Sequence, residues 1–187
     1  MDNLETMKFV FPHEGDEQKA REYIQEFIEH GSPINGAGGL DRYLRESTYA
    51  AWLSKVRSDI DLANVPEDRA PGYTYFYVRE STEASFESGE IVGMINVRLA
   101  LVGDFMREQG GHFGYSVRPT QRGRGYATDM LRGALAFCRA IGMRDFVLCC
   151  HKSNPASAGV IRNCGGVPEA AFYSEHYGDV VQRYRIG

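Results

Sequence analysis

Apolar residues at Ala20, Tyr23, Ile24, Phe27 and Ile28 follow a three-four spacing that predicts an amphipathic helix from Glu17 to His30, stopped by Gly31. Before it, Lys8 to Phe11 is a short strand, and after it Ser32 to Gly39 is a loop. Leu40, Leu44, Ala51 and Trp52 suggest a second helix, and Val65 to Gly72 is a break. The pattern then changes. Tyr73 to Arg79 is aromatic and β-branched, as strands are, and a turn-rich connection from Ser81 to Glu90 leads to a hairpin partner at Ile91 to Leu99. Leu101 to Gln109 fits either a short helix or an irregular crossing. His112 to Val117 is the next strand. Ala127, Met130, Leu131, Ala134, Leu135, Cys138 and Ile141 then make one face of a helix ended by Gly142. Asp145 to Cys150 reads as a strand buried on both faces, as parallel segments are. A short helix follows, with Asn154 as N-cap and Pro155 at the first helical position. Two closing strands, near Pro168 to Ser174 and Val180 to Ile186, form a hairpin around Tyr177 to Asp179.

The most informative stretch runs from Gly114 to Leu131, a strand, a Pro-punctuated turn and a Gly/Arg loop opening directly into a helix. Unpaired amides and the positive end of the helix dipole make such a junction an anion site. Gly123 and Gly125 let the backbone approach a ligand closely, while Arg122 and Arg124 add positive charge. The expected guest is a phosphate or pyrophosphate. No Gly-Lys-Ser/Thr follows, which separates the loop from nucleotide-binding P-loops.

Composition narrows the picture. The 187 residues suit one domain, 1–187, and 43% hydrophobic with 25% charged residues describes an ordinary globule. A net charge of −4 argues against a nucleic-acid partner, so the arginine pair is a local feature on an acidic background. The N-terminal "MDNLETMKFVF" is acidic with too short an apolar run for a signal peptide, and no run is long enough to span a bilayer. Cytoplasm is the expected location. Cys138, Cys149, Cys150 and Cys164 match no zinc spacing and are expected as reduced thiols, with no metal. Nothing adjacent in sequence would activate Cys149 or Cys150 as a nucleophile.

The order of elements, with "SVRPTQRGRGYA" at its centre, resembles the GNAT superfamily of acyl-CoA N-acyltransferases. Arg122, Gly125 and Ala127 fill the family signature Arg/Gln-x-x-Gly-x-Gly/Ala, and Val117, Pro119, Asn154 and Ser157 also match. The resemblance covers Tyr73 to the C-terminus, while residues 1–72 fit the family's variable substrate-side region. It implies an α/β fold with a mixed, mostly antiparallel central sheet of about six to seven strands flanked by helices. Acetyl-CoA would lie as co-substrate between two splayed parallel strands, those ending at Val117 and Cys150. Its pantetheine arm would pair with Tyr115, Ser116 and Val117. The pyrophosphate would take the amides of Arg122, Gly123, Arg124, Gly125, Tyr126 and Ala127, with the Thr128 hydroxyl. Asn154 would hydrogen-bond the arm, beside Ser157.

The implied reaction is direct attack of a primary amine, from a small molecule or peptide, on the acetyl thioester. Many relatives carry a tyrosine acid seven positions after the asparagine; here that position is Ile161, and the usual Gly-Phe is Gly165-Gly166-Val167. Tyr173 or a water would replace the acid. His112 and Glu90 are the base candidates, the latter through a water. A binding module for acyl-CoA without turnover is the competing reading, motivated by Ile161. The acceptor is not legible in the sequence, and a monomer or a homodimer fits equally.

Overall fold

The structure, a computed structural model, describes residues 6–61, 63, 65, 69–80 and 89–187. The turn-rich connection expected after Arg79 falls, over residues 81–88, outside the described residues. Five helices and seven strands are described. They run β1 (Met7–Val10), α1 (Glu17–Glu29), α2 (Leu40–Glu46), α3 (Tyr49–Ile60), β2 (Gly72–Arg79), β3 (Glu90–Arg98) and β4 (Phe113–Val117). After these come α4 (Tyr126–Ala140), β5 (Phe146–His151), α5 (Pro155–Asn163), β6 (Val167–Ser174) and β7 (Asp179–Ile186).

Local chemistry explains where the pattern was misread. The single helix expected across Leu40 to Trp52 is two helices, because Ser47 leaves the helical region (φ −151°, ψ −129°). Thr48 then caps α3 by accepting a hydrogen bond from the Ala51 amide at 3.1 Å. The undecided stretch Leu101 to Gln109 resolves into a helical turn that widens to a π-helical turn over Met106–Gly110. Ile28 and Ile141, expected on apolar faces, are 65% and 50% exposed. Ile28 looks onto the open groove between α1 and α2, and Ile141 lies past the end of α4.

Four strands pair antiparallel in the order β1-β2-β3-β4, and three in the order β5-β7-β6. Adjacent residues on a strand face opposite sides, so each central strand feeds two cores. On one side Ile95, Val97 and Phe113 pack with Met130, Leu131 and Leu135 of α4. On the other, Phe76, Ile91 and Met94 pack under Tyr23, Phe27 and Trp52 of α1 and α3. Trp52 is fully buried with its indole N–H on the Ala37 carbonyl at 3.2 Å. Truncating it to alanine would cost about 3–5 kcal/mol.

Among the described residues, backbone hydrogen bonds join the two sheets at one place. The His112 amide donates to the Val147 carbonyl at 2.8 Å, beside a bridge between Gly111 and Leu148. Beyond that point no ladder joins β4 to β5 among the described residues. The strands part, with α4 crossing from one to the other, and leave a cleft between them.

Candidate active site

The register of β3 on β4 decides which groups line the cleft. Arg98 N–H donates to the His112 carbonyl and Arg118 N–H to the Val92 carbonyl. Bonded pairs alternate along an antiparallel ladder. Residues 114, 116 and 118 therefore turn their amide groups toward β3, as His112 does its carbonyl alone, while Tyr115 and Val117 turn theirs to the open edge. Ser116 is thus set apart from the two residues expected to act with it. Its carbonyl and its hydroxyl both meet the buried Tyr23 hydroxyl, at 3.1 and 3.0 Å.

Past β4 the chain is stapled to α1. Arg118 pairs with Glu26 at 3.2 Å and Glu90 at 3.5 Å, and Glu26 also accepts from the Thr120 amide and hydroxyl at 2.9 and 2.8 Å. The loop beyond is open. Gly123 and Gly125 adopt φ +79° and +88°, a region that glycine enters without strain, and a Cβ on either would meet empty space. The amides of Gly123, Arg124, Gly125, Ala127 and Thr128 have no hydrogen-bond partner among the described residues, and no side chain caps α4. Such a row of donors at a helix N-terminus fits a pyrophosphate. Tyr126, beside them, is buried with its ring edge-on to Tyr77 at 6.2 Å.

The two loop arginines differ. Arg122 folds back, with Nε on the Val117 carbonyl at 3.2 Å, Nη2 on the Ser32 hydroxyl at 2.7 Å and the guanidinium over the Phe27 ring at 5.6 Å. Arg124 is exposed and makes no hydrogen bond or ion pair among the described residues. Across the cleft, Asn154 caps α5 by accepting from the Ser157 amide at 3.1 Å, which leaves its side-chain amide to donate elsewhere. The Ser157 hydroxyl meets the Tyr115 hydroxyl at 3.0 Å, so β4 and α5 are bridged over the cleft. Burial pushes the Tyr115 phenol above its ordinary range and keeps it protonated.

The three side chains expected to move protons are not brought together. His112 sits at the strand junction, where its Nδ1 accepts the Val147 amide at 3.0 Å. Burial lowers its pKa, so the ring is neutral with its proton on Nε2; taking a further proton requires that bond to break. Glu90 lies at the other end of β4, with its oxygens on Arg79 and Arg118. Tyr173 is 64% exposed on β6, separated from β5 by β7. Ile161 is buried in the core. Burial also pushes the Cys149 thiol up to about 12, against a role as nucleophile.

The profile described as "Acetyltransferase (GNAT) domain" matches residues 1–167. The chain belongs to the GNAT acetyltransferase family. Solved GNAT structures share its fold over nearly its whole length. A ribosomal-protein-S5-alanine acetyltransferase from Vibrio fischeri superposes with a TM-score of 0.70 at 14% identity, covering 98% of this chain and 94% of that one. The microcin C7 self-immunity acetyltransferase MccE, in complex with acetyl-CoA and AMP, gives 0.65 at 16%, covering 98% and 93%. The ribosomal L7/L12 α-N-protein acetyltransferase RimL, in complex with coenzyme A, gives 0.63 at 18%, covering 97% and 93%. No curated protein matches the sequence. No helix among the described residues is long and apolar enough to cross a membrane.

Two features of this GNAT site lay outside the reach of sequence. The Tyr115–Ser157 bridge joins residues that are distant in the chain, and no motif links them. Arg118 was hidden because its partners Glu26 and Glu90 lie in other elements.

Proposed function

We propose that the chain acetylates a primary amine of a small molecule or peptide with acetyl-CoA, within one domain spanning residues 1–187 and by direct attack with both substrates bound. The observation that carries this reading is the continuity of two unpartnered rows. The edge amides of Tyr115 and Val117 lead to the free amides of Gly123, Arg124, Gly125, Ala127 and Thr128. The first row suits the amide-bearing pantetheine arm as an added strand, and the second suits the pyrophosphate. Arg124 adds unneutralised charge beside it. The Asn154 side-chain amide and the Ser157 hydroxyl would meet the arm from α5.

In the reaction a C–N bond forms as the C–S bond of the thioester breaks. The amine loses a proton and the sulfur leaves as thiolate, to be protonated as free coenzyme A. An edge amide near Val117 would polarise the carbonyl as its oxygen gains charge. His112, neutral at the junction, is the nearest of the three candidate side chains to the closed end of the cleft. Tyr173 and Glu90 would act only through water.

Two measurements test this. Calorimetry should show acetyl-CoA binding to the wild-type chain. A thiol-release screen across polyamines, aminoglycosides, amino acids and peptide N-termini should then find a substrate. Binding without release from any amine would leave an acyl-CoA-binding module instead.

A further inference from the structure

The face of the first sheet opposite α4 holds a cavity of about 230 Å³, lined by Lys55, Asp59, Arg69, Asn96, Arg98 and Met106 among others. Among the described residues its charges do not balance. Asp59 is the sole carboxylate of the lining, and it is held by Lys55 at 2.6 Å and Arg69 at 3.3 Å. Arg98 has no carboxylate partner among the described residues; its Nη1 donates to the Gly111 carbonyl at 3.0 Å. Loss of water pushes its pKa below the ordinary arginine value, with Tyr177 of the β6–β7 turn as the opposing influence. A guanidinium so placed keeps its charge at a solvation cost that no carboxylate among the described residues offsets.

Its position gives that charge a purpose. Arg98 stands opposite His112 and reaches over β4, where its Nη2 lies 3.7 Å from the place a Cβ on Gly114 would occupy. Gly111 and Gly114 present backbone beneath the guanidinium, and the Gly36 backbone shares that surface, its Cα 3.1 Å from the same point on Gly114. Gly114 immediately precedes Tyr115, whose amide opens into the cleft. α4 packs on the other face of the sheet, so the cavity with Arg98 lies on the side away from it.

The geometry points to Arg98 as the anchor for an anionic group, a carboxylate or a phosphate, carried by the acceptor amine. This rests on the acetyl-transfer reading above and narrows its acceptor class. Lys55 and Arg69 outnumber Asp59, so the surrounding field favours the same sign of ligand and disfavours polycationic amines. A planar guanidinium offers two parallel donors to a carboxylate or phosphate, which also fixes the orientation of the amine.

The test uses matched acceptors: an amino acid against its amide, and an aminoalkyl phosphate against the corresponding aminoalkyl alcohol. Comparing each ratio of kcat/KM between wild type and Arg98→Gln cancels the intrinsic reactivity of the amines. Wild type should favour at least one anionic member, and Arg98→Gln should reduce that preference by roughly 10- to 100-fold. Arg98→Lys should keep part of it. The pair that responds identifies carboxylate or phosphate as the source. An unchanged preference, or one for the neutral member, overturns the inference.

A second readout is independent of turnover and guards against a folding defect. The Nε–Hε resonance of Arg98, assigned by its loss in Arg98→Lys, should shift saturably on titration with inorganic phosphate or acetate in the presence of coenzyme A. No saturable shift with either anion overturns the inference. Acetyl-CoA affinity, measured alongside, separates the two readings: failure of wild type to bind it removes the acetyl-transfer reading itself.

Discussion

Two strand-to-helix junctions, β4 to α4 and β5 to α5, flank one cleft and are finished in opposite ways. At α5 the chain satisfies itself: Asn154 accepts from the Ser157 amide and Pro155 has no amide to leave free. At α4 no side chain caps the first turn, and left-handed glycines hold the preceding backbone with its amides outward. Orphan donors at a helix start are ordinarily satisfied by a cap. Their retention beside a capped neighbour is the feature on which the proposed pyrophosphate site rests. The capped helix contributes side chains to the cleft, and the uncapped one contributes backbone.

The strongest way to break the contrast is Gly125→Val, which forces a β-branched residue into φ +88°. Acetyl-CoA affinity should fall by about 100-fold or more, as two or more charge-assisted bonds to the phosphates are lost. Calorimetry reads this directly. Arg124→Glu should come next, weakening acetyl-CoA by about tenfold at low ionic strength, with the difference shrinking as salt is added. Arg122→Ala separates the pair. Its guanidinium holds the loop to α1, so it should lower thermal stability by about 1 kcal/mol in addition to any loss of affinity.

Asn154→Ala tests the capped side. Loss of one cap costs about 1 kcal/mol, a fall in Tm of roughly 2–4 °C for a chain of this size. Its effect on acetyl-CoA should be smaller than that of Gly125→Val. The smallest expected effect concerns the junction that ties the two strands. His112 has a lowered pKa when folded, so the unfolded chain binds more protons below about pH 6.5. Its contribution is present above that pH and is lost as pH falls. In His112→Gln the slope of stability between pH 7 and 5 should be shallower by urea denaturation.

The contrast between junctions was legible in the sequence because it is written locally. Gly123 and Gly125 after a Pro turn, and Asn154 before Pro155, are signals within a few residues of the groups they arrange. The same holds for α4, whose apolar face repeats every three or four positions. What escaped depends on distance or on one dihedral angle. The break at Ser47 interrupts a continuous apolar pattern with a change of backbone angle that composition does not announce. Ser116 sits between two edge residues and looks equivalent to them until the ladder phase is known. Arg98 reads as the polar end of a strand, and its lack of a carboxylate partner among the described residues shows only when α3 is folded beside it.

The absence of a ladder between β4 and β5 has a consequence for motion. The cleft can widen by bending about the short junction at His112 and Val147, while every strand pair of both sheets stays intact. What gives way is the Tyr115–Ser157 bond and nearby side-chain contacts between α4 and α5, such as Cys164 on the Thr128 carbonyl. Such breathing lies far below the cost of unfolding either sheet. The long, flexible arm of the proposed co-substrate would thread in sideways, between walls joined by one hydroxyl pair and by apolar packing but by no backbone ladder.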